Sequence, residues 1–235
     1  MGAVDRATPS IARAASAMGD PTRAAMLLAS MGGPRSAGQL AASAAVSAST
    51  ASSHLRRLGE AHLVEVTAHG RQRYYALAGP SVAAALEALG HLSPPAPIRS
   101  LAASSRGAAL RRARTCYDHL AGEAGVWLLD ALLEQGWLAR AGGGNFDLTA
   151  VGIARLAAWS APWPPVAPSR RRLAFACPDW SEERPHLAGA LGAAITRHLL
   201  QLGWMMPDPG QRTVRLSAAG RDGLTRLLGV APPDS

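Results

Sequence analysis

The sequence predicts a mainly α-helical α+β protein with small β-hairpin wings. It would comprise an N-terminal winged helix-turn-helix and a C-terminal pair of pseudo-repeated, winged-helix-like subdomains. Three observations carry that prediction. Between residues 20 and 78, three apolar-periodic segments with helix-start residues precede an alternating hairpin. After residue 100, HLAGEAGVWLLDALLEQGWL at 119–138 aligns without gaps on HLAGALGAAITRHLLQLGWM at 186–205, as an internal duplication would. The aromatic residues divide in the same way: residues 1–100 hold only Tyr74 and Tyr75, and Trp127, Trp137, Trp159, Trp163, Trp180 and Trp204 all follow. The run SPPAP at 93–97 is a stiff linker between the two regions. The expected domains are therefore 1–92 and 98–235, the second built from repeats at 114–160 and 175–229.

The N-terminal elements follow in order. Asp20 is an N-cap and Pro21 suits the first helical position, with Met26, Leu27 and Met31 on one face before GGP ends the helix. Ser36 caps a second helix, SAGQLAASA. A serine-rich turn then opens a third, VSASTASSHLRRLGEAHLV, with Leu55, Leu58 and Leu63 at helical spacing. VEVTAHGRQRYYAL reads as two strands around a His-Gly turn.

Charge points this domain toward nucleic acid. The chain has a formal charge of +8, all of its basic side chains are arginine, and no acidic residue falls between Asp20 and Glu60. A helix that approaches phosphates should lack carboxylates. The third helix offers Ser47, Ser49, Thr50, Ser52, Ser53, His54, Arg56 and Arg57, whose early hydroxyls permit close approach to phosphates and base edges. The hairpin tip adds His69, Arg71 and Arg73 for the minor groove or the backbone.

The segments GDPTRAAML, SAGQLA, SASTASSHLRRLGEAHLVE and HGRQRYYAL together resemble the ArsR/SmtB family of bacterial repressors over roughly residues 5–92. The resemblance implies a homodimer joined by helices near 5–18 and 80–92. It also implies binding to an inverted repeat in double-stranded DNA and repression relieved by a ligand. Ser53 stands where the family often has arginine. Family metal sensors often place Cys-x-Cys on the second helix of the motif or Asp and His pairs on the last dimer helix. SAGQLAAS has no cysteine, and SVAAALEALGHL offers only Glu87 and His91, which read as a solvated face. Sensing is therefore expected in the second half, which resembles a branch of the family carrying RTCYDHLAG (114–122) and CPDWSEERPHLAG (177–189).

In that half each unit reads helix, Gly stop, Trp, small β wing, helix, with His119 and His186 opening equivalent helices. The cysteines are not equivalent in spacing: Cys116 lies three residues before its histidine and Cys177 nine. If the two repeated subdomains pack about a pseudo-twofold, Cys116, His119, Cys177 and His186 converge on a metal ion or, through Cys116 or Cys177, a haem. The alternative is structural, with buried cysteines filling core and histidines capping helices. A third reading has the tryptophans lining a pocket for a hydrophobic small molecule. The basic run 99–114, with Arg99, Arg106, Arg111, Arg112 and Arg114, reads as a solvated helix face.

Two widely spaced cysteines form no disulfide framework, and no segment has the length and apolarity of a signal core or a membrane span. The expectation is a cytoplasmic, ligand-responsive transcriptional regulator and not an enzyme. The rival readings are an enzyme with a Cys116 or Cys177 nucleophile and a His119 or His186 base, and a protein-interaction module.

Overall fold

Asp20 accepts a hydrogen bond from the Arg23 backbone N–H at 2.9 Å, and Pro21 follows it at the first helical position. The capping residues thus start a helix where the sequence placed one. The computed structural model describes residues 11–93, 101–160, 171–209 and 211–233, which fall into two units, Met1–Val82 and Ala83–Ser235. Outside the described residues lie most of SPPAP, the proline-rich run 161–169, residues 5–10 of the expected first helix, and Arg99.

In the first unit, α1 (Ile11–Met18), α2 (Pro21–Ser30), α3 (Ala37–Ser43) and α4 (Ala48–Glu60) precede the wing strands β2 (Val64–His69) and β3 (Gln72–Leu77). A two-residue strand that the sequence did not signal, β1 (Arg35–Ser36), pairs with β3 to give the antiparallel order β1-β3-β2. The buried face is the apolar series expected, with Met26, Leu27, Met31, Leu40, Ala51 and Leu58 fully enclosed. Ser36 and Gln39 form a reciprocal capping box on α3, and Ser47 caps α4 through the Thr50 N–H. The arginine of DPTR is a strut: Arg23 donates to the carbonyls of Ala17 at 2.6 Å and Ser16 at 2.7 Å, closing the end of α1.

The helix α5 (Pro80–Leu92) begins three residues after the end of β3, and its residues from Ala83 onward belong to the second unit. There α6 (Leu101–Arg112) leads into two successive runs with the same element order. The first is β4 (Arg114–Cys116), β5 (His119–Ala121), α7 (Glu123–Glu134), β6 (Leu138–Arg140), β7 (Phe146–Leu148) and α8 (Ala150–Ala158). The second is β8 (Phe175–Cys177), β9 (His186–Ala188), α9 (Gly189–Gln201), β10 (Met205–Pro207), β11 (Val214–Leu216) and α10 (Ala218–Leu228). The details also match. Thr149 Oγ1 donates to the Gly136 carbonyl and caps α8 through the Gly152 N–H; Ser217 Oγ donates to the Gly203 carbonyl and caps α10 through the Gly220 N–H. One apolar core, including Leu128, Leu132, Trp137, Leu191, Ile195 and Leu199, draws on both runs.

The HLAG segments differ from the sequence expectation. His119 and His186 do not open helices; they lie on β5 and β9, each the outer residue of a two-stranded antiparallel ladder. Pairing with RTC and FAC satisfies their backbone groups, and the turn into the helix comes three residues later. There Gly122 (φ +76°) and Gly189 (φ +94°) adopt a backbone conformation that side chains rarely allow.

Candidate metal centre and nucleic-acid interface

The hairpin register brings each cysteine opposite its histidine. Cys116 pairs across the ladder with His119, and Cys177 with His186. The unequal sequence spacing is a difference in loop length alone: residues 117–118 close the first hairpin and 178–185 the second. The cysteines are therefore as equivalent in position as the histidines, contrary to their spacing. Helix α7 of the first run packs on β9 of the second, α9 packs on β5, and β5 lies beside β9. This exchange places the two histidine rings 5.1 Å apart between centroids.

Glycine makes the approach possible. A Cβ on Gly125 of α7 would stand 2.5 Å from the Leu120 carbonyl oxygen and 3.3 Å from His186 Cβ. A Cβ on Gly192 of α9 would stand 2.5 Å from the Leu187 carbonyl oxygen and 3.3 Å from His119 Cβ. Each helix start thus lies against the histidine of the other run.

The result is a cluster of Cys116, His119, Cys177 and His186, all buried, with one ligand atom of each within 4.8 Å of every other. Tetrahedral zinc, with Zn–S near 2.3 Å and Zn–N near 2.0 Å, requires donor separations of about 3.3–3.8 Å, so only a small contraction is needed. Nδ1 of His119 lies 3.3 Å from Asp118 Oδ1, and Nδ1 of His186 lies 2.9 Å from Asp179 Oδ2, the latter close but poorly aligned as a hydrogen bond. Both Nε2 atoms are buried without a hydrogen-bond partner. Carboxylates behind Nδ1 and unpartnered Nε2 atoms in front are the arrangement that orients imidazoles toward a metal.

The electrostatics follow. The Cys177 contact and burial push the Cys116 thiol up to about 12. Burial, the largest single effect, would lower the basicity of both imidazoles, but Asp118 and Asp179 together with the Cys116 contact raise them on balance. Asp118, despite burial, is held at about 2 by the Arg171 guanidinium, which grips both its oxygens. Asp179 is likewise depressed against burial by His186 and Arg114.

Two sequence readings are corrected around this cluster. Arg114 is not on a solvated helix face: it lies on β4, fully buried, and bridges Glu87 at 3.0 Å and Asp179 at 2.8 Å. Glu87 is not solvated either, being buried on α5 between Arg114 and Arg212. Charges are buried here because each is paired; His91 stays exposed. Asp118, Asp179, Arg114 and Glu87 were missed as members of the site. A signal for the first two was present, since both cysteines begin Cys-x-Asp, at 116–118 and 177–179.

As for a small-molecule site, Trp127 lines a cavity of about 370 Å³ with Arg112, Met205, Asp208, Arg215 and Leu216. Trp137 is instead buried in the core, and Trp204 is packed against it.

In the first unit, Ser47, Ser49, Thr50, Ser52, Ser53, Arg56 and Arg57 are exposed along α4, and His69, Arg71 and Arg73 are exposed on the wing. Several hydroxyls are already engaged locally: Ser47 Oγ lies 3.0 Å from Ser49 Oγ and 2.9 Å from Thr50 Oγ1, and Ser52 donates to the Ala48 carbonyl. Arg56 pairs with Glu60. His54 is half-buried, with Nδ1 3.5 Å from Asp20 Oδ1, so it faces inward more than the sequence implied. The Arg23 backbone N–H holds the Asp20 carboxyl below its ordinary range.

A family model described as a helix-turn-helix domain matches residues 18–67. The uncharacterized HTH-type transcriptional regulator YdfF of Bacillus subtilis (strain 168) is 40% identical over 223 residues, covering 94% of this chain and 98% of that protein. The HTH-type transcriptional regulator CmtR of Mycobacterium tuberculosis is 43% identical over 76 residues, 32% of this chain and 64% of CmtR. The solution structure of that protein, described as a cadmium metal-sensor, aligns at 36% identity over 39% of this chain and 99% of its own, with a TM-score of 0.30.

Proposed function

The chain belongs to the ArsR/SmtB-like HTH-type transcriptional regulators, and from that premise we propose that it is a homodimeric repressor whose operator affinity is set by a metal ion held by Cys116, His119, Cys177 and His186. It is a DNA-binding transcriptional regulator. The repressor, homodimer and metal-responsive parts are our reading. In it, residues 1–92 bind an inverted repeat, with α4 in the major groove and the wing arginines on the backbone or minor groove. Residues 98–235 are a duplicated effector domain, a view supported by the repeated element order and the matched caps at Thr149 and Ser217.

One observation carries the metal reading: four buried donors lie within 4.8 Å of one another, with both histidine Nε2 atoms unpartnered. Two thiols and two imidazoles suit a thiophilic divalent cation of the zinc or cadmium kind, and four protein ligands close its coordination shell. Haem fits less well, because donors this close leave no slot for a macrocycle. An enzymatic role is disfavoured too: a nucleophilic cysteine needs access and thiolate character, whereas Cys116 is fully buried and its thiol strengthened. Among the described residues no helix is long and apolar enough to cross a membrane, and free thiols suit the reducing cytoplasm, where we place the protein.

The test is metal analysis of the full chain with gel-shift titration on its own upstream DNA. We expect one zinc per chain, lost in Cys116→Ser and Cys177→Ser, and salt-sensitive DNA binding. No DNA binding at low salt would sink the repressor reading; zinc retention by both variants would sink the metal site.

A further inference from the structure

The loop 178–185 joins two members of the cluster, Cys177 and His186. Its Asp179 is a hub. Oδ2 lies 2.9 Å from His186 Nδ1 and accepts from the Gly122 backbone N–H at 2.7 Å. Oδ1 accepts from Arg114 at 2.8 Å and from the Ser181 N–H and hydroxyl at 3.0 and 2.7 Å. The same terminal nitrogen of Arg114 donates to Glu87 Oε2 at 3.0 Å, and Arg212 donates to Glu87 Oε1 at 2.9 Å. Two guanidiniums and two carboxylates thus run from the imidazole to α5 without solvent exposure at Arg114, Glu87 or Asp179 side chains.

The loop holds α5 at a second point. Gly90, one helical turn beyond Glu87, is so close to Trp180 that an added Cβ would lie 3.3 Å from Trp180 Cβ. The Arg114 guanidinium stacks over the Trp180 ring at 4.6 Å. Helix α5 is therefore tied to this loop directly by the close packing of Gly90 on Trp180 and indirectly through Arg114 of β4, which pairs with both Asp179 and Glu87.

We propose that this loop is the regulatory output of the cluster: occupancy by a thiophilic divalent cation sets the position of α5 through Asp179, Arg114 and Glu87. The proposal rests on the reading of the four Cys and His residues as a metal site. Ligation would contract the donors to tetrahedral separations and so displace His186 and both ends of the loop. Asp179 follows His186, and the charges beyond it have little slack, since Asp179, Arg114 and Glu87 are buried and paired in series. The displacement therefore reaches Glu87.

Hydrogen exchange of the α5 peptide covering 83–92, in the full chain with and without one equivalent of zinc, tests this. In the wild type zinc should slow exchange there by at least about fivefold, the lower end of ordinary allosteric coupling. Glu87→Gln, which keeps the shape and removes the charge, should still bind one zinc, yet its α5 response should fall to within about twofold of none. Wild-type protein that binds zinc with no change in α5 exchange overturns the proposal, even if Glu87→Gln fails to fold. So does a Glu87→Gln protein with the full wild-type response. If the wild type binds no zinc at all, the metal site itself fails and this proposal falls with it; the zinc stoichiometry separates the two cases.

Discussion

His119 and His186 face each other with ring centroids 5.1 Å apart, each delivered by a strand from a different β-β-α-β-β-α run. Neither run holds the cluster alone. Each supplies one cysteine, one histidine and the aspartate behind that histidine, so the centre exists only where the two runs meet.

That division predicts how the aspartates contribute. Asp179→Asn removes the charge behind His186 without touching a ligand, and should weaken zinc binding about 10- to 100-fold. Asp118→Asn should act in the same direction but less, since its contact to His119 is longer and the residue is more exposed. Competition with a chromophoric chelator reads both; equal affinity in wild type and Asp179→Asn would count against the oriented imidazoles.

Proton release on metal loading gives a second prediction. The Cys116 thiol, raised to about 12, is protonated at pH 7, whereas the metal takes the thiolate. Loading must expel that proton, so zinc affinity rises with pH through the neutral range and falls on acidification. An indicator dye in weakly buffered solution should record at least one proton per zinc. Loading without proton release would place the ion elsewhere.

Gly125 and Gly192 supply a stability test that needs no metal. Alanine at either position drives a Cβ into a backbone carbonyl 2.5 Å away. The cost should be about 1–3 kcal/mol, or a melting temperature lower by about 2–4 °C per kcal/mol in a chain of this size. Gly142→Ala, where an added Cβ meets nothing within 4 Å, is the control.

On the DNA side, Arg71 and Arg73 are exposed on the wing, and in the proposed reading they contact phosphates while α4 reads bases. Replacing each with alanine should weaken binding to all sequences alike and reduce the slope of log affinity against log salt by about one. Ser53→Ala should instead change discrimination among operator variants, with the salt slope unaltered. A salt slope unmoved by the double arginine variant would remove the wing from the interface.

The first unit was legible in the sequence because its signals are local. Asp20, Ser36 and Ser47 sit at helix starts, and each does cap its helix. The alternation of VEVTAH and QRYYAL gives the hairpin in register. In the second unit the sequence repeat has a counterpart in the repeated element order, but the strands were not legible. Three-residue ladders such as RTC against HLA carry too little periodicity to separate from a helix start. Cys116, His119, Cys177 and His186, which the sequence grouped, do lie together, yet their surroundings were not legible, because Arg114, Glu87 and Asp179 become buried only through one another. Their pairing spans 27 and 65 residues of sequence, and read one at a time each is an ordinary surface charge.

The most direct test of the whole account is operator affinity of the full chain, measured at fixed salt with and without stoichiometric zinc, beside Cys116→Ser. The account predicts one zinc per wild-type chain, a change in operator affinity of at least about fivefold on loading, and neither effect in the variant. Equal operator affinity with and without bound zinc would contradict it.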